Sequence, residues 1–160
     1  MCLIIAEAGE NHLGDMDIAK KMIDLSKSAG ADYVKFQYYN ADNCSDNDPE
    51  KEWFKKVQLD IDKVRYLYNY ATQSGVNFLC TPWDAYKADE LFSLGIMDMK
   101  IASFHIADME MLKLISKKAG RVFMSTGMSS VEEIDRAVKL MDKVDLYLIH
   151  CVSEYPLPEE

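Results

Sequence analysis

The chain has no apolar run near the ~20 residues that a membrane-spanning helix needs. Its hydrophobic residues, 49% of the whole, therefore belong to a folded core. Positive charge is scarce: 18 Lys and Arg face 27 Asp and Glu, a net charge of −9. That balance argues against nucleic acid and against anionic membranes as partners. Neither G-x-G-x-x-G nor G-x-x-x-x-G-K-[ST] occurs, which removes the usual nucleotide-binding signatures. There is no C-x-x-C pair, because Cys2, Cys44, Cys80 and Cys151 are far apart. Three of them lie in apolar runs, so a reducing, cytoplasmic setting is expected. Met1 to Ile5 reads directly as the start of a strand, so no basic leader is expected in this sequence. The acidic cluster Asp42, Asp46 and Asp48 lacks the glycine and terminal glutamate of a calcium loop and reads as a solvated connection.

With 160 residues, one domain with a sizeable core is within reach. Apolar and β-branched runs predict strands at 2–7, 33–38, 76–80, 99–102, 122–124 and 146–151. Asp15, Asp60, Asp84 and Ser130 stand at predicted helix starts, and Ser130 with Glu133 has the spacing of a capping box. Five helices are expected, with residues 40–52 as the longest polar connection. Strand–helix alternation of this kind predicts an α/β fold with a parallel sheet.

Two strands hold a lysine, Lys35 and Lys100. A buried ammonium is costly unless an anion pairs with it. The two are expected to converge on one anion site, with Glu7 as counter-charge when no ligand is bound. Each strand also delivers a polar residue at its carboxyl end: Glu7, Gln37, Thr81, Ser103, Ser125 and Ser153. An open sheet concentrates its chemistry at one switch point, whereas a barrel gathers all strand ends at one mouth. The expected fold is therefore a TIM (β/α)8-type barrel with its first six strands present. Such barrels typically need ~250 residues, so residues 1–160 are expected to be the first three quarters of one. His12, His105 and His150 show no short ligand spacing, and His150 is expected to be an interior, hydrogen-bonded side chain.

The motifs resemble those of the sialic acid synthase family. Residues 5–14, IAEAGENHLG, are similar to its AEIGxNHxG opening. Lys35-Phe36-Gln37 resembles its KFQ strand, and Thr81-Pro82-Trp83-Asp84 its TPFD turn. Lys100-Ile101-Ala102-Ser103 resembles KIxS, Ser125-Thr126-Gly127-Met128 matches STGM, and residues 150–156 match HCxxxYP. The family's acidic residue soon after KIxS is replaced here by Phe104-His105.

The resemblance implies condensation of phosphoenolpyruvate with an N-acetylmannosamine-type aldehyde sugar, giving a nonulosonic acid and phosphate. It implies that Lys35 and Lys100 hold the phosphoenolpyruvate anions. Gln37, Thr81, Ser103, Ser125 and Ser153 would add substrate contacts, and Glu7 and Tyr155 would lie on the sugar side. It also implies a divalent metal, manganese or magnesium, whose histidine ligands belong to strands seven and eight and so to no residue of this chain. A homodimer is an option. Two alternatives stand beside this reading: a non-catalytic barrel fragment serving as a binding or assembly module, and a Schiff-base lysine aldolase.

Overall fold

The computed structural model describes residues 2–154. They fall into two compact units, which divide after Trp83. All the strand pairs within each unit are parallel, as the alternation predicts.

The first unit holds β1 (Ile5–Gly9), α1 (Met16–Ser28), β2 (Tyr33–Tyr38), α2 (Lys51–Val57), α3 (Ile61–Ser74) and β3 (Asn77–Pro82). β2 lies between β1 and β3 and pairs with both. Its Val34, Phe36 and Tyr38 are buried, and so are Tyr33 and Lys35 of the opposite parity. A strand covered on both faces belongs to a parallel sheet flanked by helices. α1 and α3 lie against each other and against the strands, and bury Ala19, Ile23, Val64, Leu67 and Ala71.

Helix starts follow local chemistry. Asp15 accepts hydrogen bonds from the backbone of Asp17 and Ile18, and Asp60 accepts one from Lys63. Gly75, at φ +76°, closes α3 in the left-handed region that favours glycine. The polar connection at 40–52 is more ordered than its composition suggests. It opens with a 3-10 turn at Ala41–Asn43 and runs into α2, whose Glu50 makes no side-chain cap.

The second unit holds α4 (Ala85–Ser93), β4 (Asp98–Ile101), α5 (Met109–Lys118), β5 (Arg121–Ser125), α6 (Val131–Leu140) and β6 (Asp145–Ile149). β5 pairs with β4 on one side and β6 on the other. Met99, Ile101, Val122 and Met124 form its core with Leu91, Met111, Leu112, Ile115 and Ala137. The Ser130–Glu133 capping box forms as expected. The described residues thus contain six strands and six α-helices, one helix more than expected. β6 ends at Ile149, so His150 follows the strand and is exposed rather than interior.

Candidate active site

In the first unit the functional groups gather at the carboxyl ends of the strands. Glu7 and Lys35 are register partners on β1 and β2. Lys35 Nζ lies 2.8 Å from Glu7 Oε2, with the lysine side chain 10% exposed and the glutamate 55%. The same ammonium donates to Thr81 Oγ1 at 3.2 Å. Thr81 is two residues beyond Leu79, the register partner of Lys35, so the side chain leans diagonally toward the strand end. Gln37, the partner of Thr81, accepts a hydrogen bond from Trp83 Nε1 at 2.9 Å.

Gly9 makes room for this cluster. It has φ +51°, and a Cβ there would lie 3.0 Å from Glu7 Oε1. The register of β1 against β2 shifts between Glu7 and Gly9, a bulge of the sort that re-aims side chains near functional sites.

The second unit repeats the device. Lys100 Nζ donates to Ser125 Oγ at 2.6 Å and to the Ile101 carbonyl at 2.8 Å. Ser125 again stands two residues beyond the lysine's register partner, here Phe123. Ser103 Oγ accepts from the Gly127 N–H at 3.1 Å and lies 3.4 Å from Cys151 Sγ. A Cβ on Gly127 would collide with Ser153 Oγ and come within 3.0 Å of Ser103 Oγ. Lys100, Ser103, Ser125 and Ser153 therefore form a cradle of one cation and three hydroxyls around Gly127, chemistry suited to a phosphate or carboxylate.

Burial alone would raise the Cys151 thiol. Hydrogen bonds with the Ser103 and Ser125 side chains and the Gly127 and Thr126 backbone outweigh it, and the pKa is lowered. Cys80 is the opposite case: fully enclosed, its thiol is pushed up to about 12 by burial.

Eight of the nine residues expected at the site lie among the described residues, at or near strand ends. Glu7, Lys35, Gln37 and Thr81 are together in the first unit, and Lys100, Ser103, Ser125 and Ser153 in the second. Tyr155 lies outside the described residues.

His12 is buried, and its Nδ1 accepts from the Gly14 N–H at 3.1 Å. Burial and the neighbouring Lys63 charge hold its pKa below the ordinary imidazole value. It fixes the loop after β1. Among the described residues no three His, Cys, Asp or Glu side chains converge as metal ligands. The side chains described here do not fit a metal by themselves.

Sequence reasoning assigned no role to Glu10 or Tyr39. Burial raises the Glu10 carboxyl pKa, against hydrogen-bonding contributions from Tyr39 and Trp53. The Tyr39 hydroxyl is likewise pushed far up by burial and by Glu10. Only the pairing of a loop glutamate with an aromatic run could have signalled this, and it carries no motif.

The NeuB family model matches residues 22–160. The chain belongs to the NeuB family. It is 35% identical to the N,N'-diacetyllegionaminic acid synthase of Campylobacter jejuni, an alignment covering 98% of this chain and 53% of that protein. It is 29% identical to human N-acetylneuraminate-9-phosphate synthase, over 99% of this chain and 49% of the relative.

Among solved structures, the N-acetylneuraminic acid synthetase of Leptospira borgpetersenii superposes with a TM-score of 0.93 at 33% identity. That match covers 98% of this chain and 56% of that one. The NeuB-family chain thus spans about half the length of the relatives it matches. No helix among the described residues is long and apolar enough to cross a membrane.

Proposed function

We propose that the protein carrying this chain condenses phosphoenolpyruvate with an N-acetylmannosamine-type aldehyde sugar, giving a sialic acid-type nonulosonic acid and phosphate. The carrying observation is the repeated lysine–hydroxyl pair at strand ends, Lys35 with Thr81 and Lys100 with Ser125. The names of the relatives support the product class. We further propose that residues 1–160 form the N-terminal part of a TIM (β/α)8 barrel in the cytoplasm.

In this reading Lys35 and Lys100 neutralise and orient the anionic groups of phosphoenolpyruvate. Thr81, Ser103, Ser125 and Ser153 add hydrogen bonds to them. Glu7 holds the Lys35 ammonium and lies with Tyr155 on the sugar side, and Gln37 adds a further substrate contact. The enol π pair forms the new carbon–carbon bond to the aldehyde carbon, and the aldehyde oxygen takes a proton. Water adds to the resulting oxocarbenium carbon and loses a proton. Phosphate then leaves with the electrons of its bond to that carbon, the hydroxyl oxygen forms the C=O of the 2-keto group, and the hydroxyl proton passes to the departing phosphate. A divalent metal, manganese or magnesium, would supply Lewis-acid chemistry when bound, and the side chains described here would not hold it by themselves.

A Schiff-base aldolase fits less well. It needs a neutral amine, and the Lys35 ammonium is ion-paired at 2.8 Å. A non-catalytic module draws on β6, which pairs only with β5 among the described residues and leaves Tyr147 and Leu148 exposed. Light scattering on residues 1–160 separates the cases, because a stable compact monomer removes the module.

The direct test assays the full-length protein with phosphoenolpyruvate, manganese and N-acetylmannosamine, following phosphate. Release at enzymatic rates is expected. Silence with this sugar and with the related diacetylated sugars overturns the reading.

A further inference from the structure

Among the described residues, two that are not glycine stand at positive φ, Leu13 at +57° and Met128 at +59°. The left-handed region is costly for a side chain, and the residues that do enter it are usually Asn or Asp. These two are apolar, and both are exposed, Leu13 by 50% and Met128 by 76%. Each stands in the loop leaving a strand that carries site groups, β1 and β5. Backbone strain of this kind persists where the surroundings over-determine it, and it gathers at ligand sites.

The surroundings of Met128 show what holds it there. It is the third residue of the turn Thr126–Ser129, which the Ser129 N–H closes onto the Thr126 carbonyl at 3.4 Å. A positive φ at that place in a turn calls for Gly or Asn. Thr126 is tied to the Ile149 carbonyl by its N–H and by its hydroxyl, both at 3.1 Å. The Gly127 N–H is tied to Ser103 Oγ, and Ser129 Oγ donates to the Gly127 carbonyl at 3.3 Å. The turn is thus pinned to the end of β6 and to the cradle of Lys100, Ser103 and Ser125. Most of the Met128 surface meets water, so packing within the fold does not account for a strained apolar residue at this position.

A cation and hydroxyls beside one exposed thioether complement a small anion that also carries an apolar carbon. Phosphoenolpyruvate has that form: a phosphate and a carboxylate for the cradle, and a methylene that makes no hydrogen bonds. A flexible, polarizable thioether adapts to such a group. We propose that Met128 contacts the methylene of bound phosphoenolpyruvate and selects this ligand over equally charged anions that lack it. The inference rests on the phosphoenolpyruvate reading above for its substrate class and concerns recognition, not the chemical step.

Calorimetric titration of the full-length protein with phosphoenolpyruvate, and separately with 2-phosphoglycolate, tests it. The second ligand keeps both anionic groups and lacks the methylene. The wild type should bind phosphoenolpyruvate about fourfold more tightly or better, the effect of burying one such carbon. Met128→Gly should bring the two ligands within about twofold by weakening phosphoenolpyruvate alone. Its urea midpoint should stay at or above that of wild type, because glycine accepts the positive φ. Met128→Asn, which tolerates the same backbone with a polar side chain, should also lose the preference, and Met128→Leu should keep it. Equal binding of the two ligands by the wild type overturns the proposal. So does a preference that survives Met128→Gly, or a fallen midpoint in that variant, which would assign Met128 to the fold. Selective binding that depends on Met128 without phosphate release would retire the synthase reading and leave this contact standing. Failure of the wild type to bind either ligand retires both.

Discussion

Lys35 and Glu7 face each other across neighbouring parallel strands with their charges 2.8 Å apart, the cation enclosed and the anion half in water. The asymmetry fixes which partner depends on the other. The carboxylate can be hydrated if the lysine is lost, but the lysine cannot be hydrated if the carboxylate is lost. Glu7→Gln should therefore destabilise the protein by roughly 1–3 kcal/mol, the cost of an under-satisfied buried donor. A lower urea midpoint with unchanged slope would show it. A midpoint equal to wild type would mean that Thr81 alone suffices.

Removing the cation acts on ligand binding. Lys35→Ala and Lys100→Ala should each weaken phosphoenolpyruvate binding by about 2–5 kcal/mol, because each leaves a desolvated anionic group unpaired. Lys→Arg should restore only part, since a planar fork differs from a compact ammonium. Equilibrium titration with phosphoenolpyruvate gives the number. An unchanged affinity for either alanine variant removes that lysine from the substrate.

Gly127 is required for the room it leaves. Gly127→Ala places a methyl against Ser153 Oγ and Ser103 Oγ. Phosphate release should fall at least tenfold, about 1.4 kcal/mol in barrier, while circular dichroism and melting change little. Full activity would show that the cradle around Ser103 is not where an anion sits.

The buried His12 gives a pH signature with a definite sign. Its folded pKa lies below the unfolded value of 6.5, so the unfolded chain binds more protons in the window beneath 6.5. Stability is then fully present above pH 6.5 and is lost as pH falls through the folded pKa. Urea unfolding at pH 7.5 and 5.5 should show the loss, and His12→Asn should flatten it. A wild-type stability that rises on acidification through this range would contradict the buried neutral imidazole.

Local signals in the sequence were legible because their chemistry is local. Asp15, Asp60, Asp84 and Ser130 cap helices through hydrogen bonds to residues two or three positions on. Lys35 and Lys100 stood out because a cation inside a strand needs a partner, and Glu7, Thr81 and Ser125 are those partners. α2 was hidden because Glu50 does not cap it and its flanks are polar. β3 runs through Thr81 and Pro82, where a turn was expected, since the parallel ladder to Gln37 and Tyr38 carries it on. His150 sits inside an apolar stretch of sequence that continues to Val152, but the strand itself ends at Ile149 and leaves the imidazole exposed. Glu10 and Tyr39 meet only through the fold, 29 positions apart in sequence.

The diagonal reach from lysine to hydroxyl works as a ruler. Two residues of a strand advance about 6.6 Å, and adjacent strands lie about 4.8 Å apart, so the side chain must bridge a span that only a long, flexible cation covers. The pair can move along the sheet only in steps of two, because a shift of one residue turns both groups to the opposite face. The spacing of the strand ladder thus sets both the length of the side chain that can do this work and the positions at which it can stand.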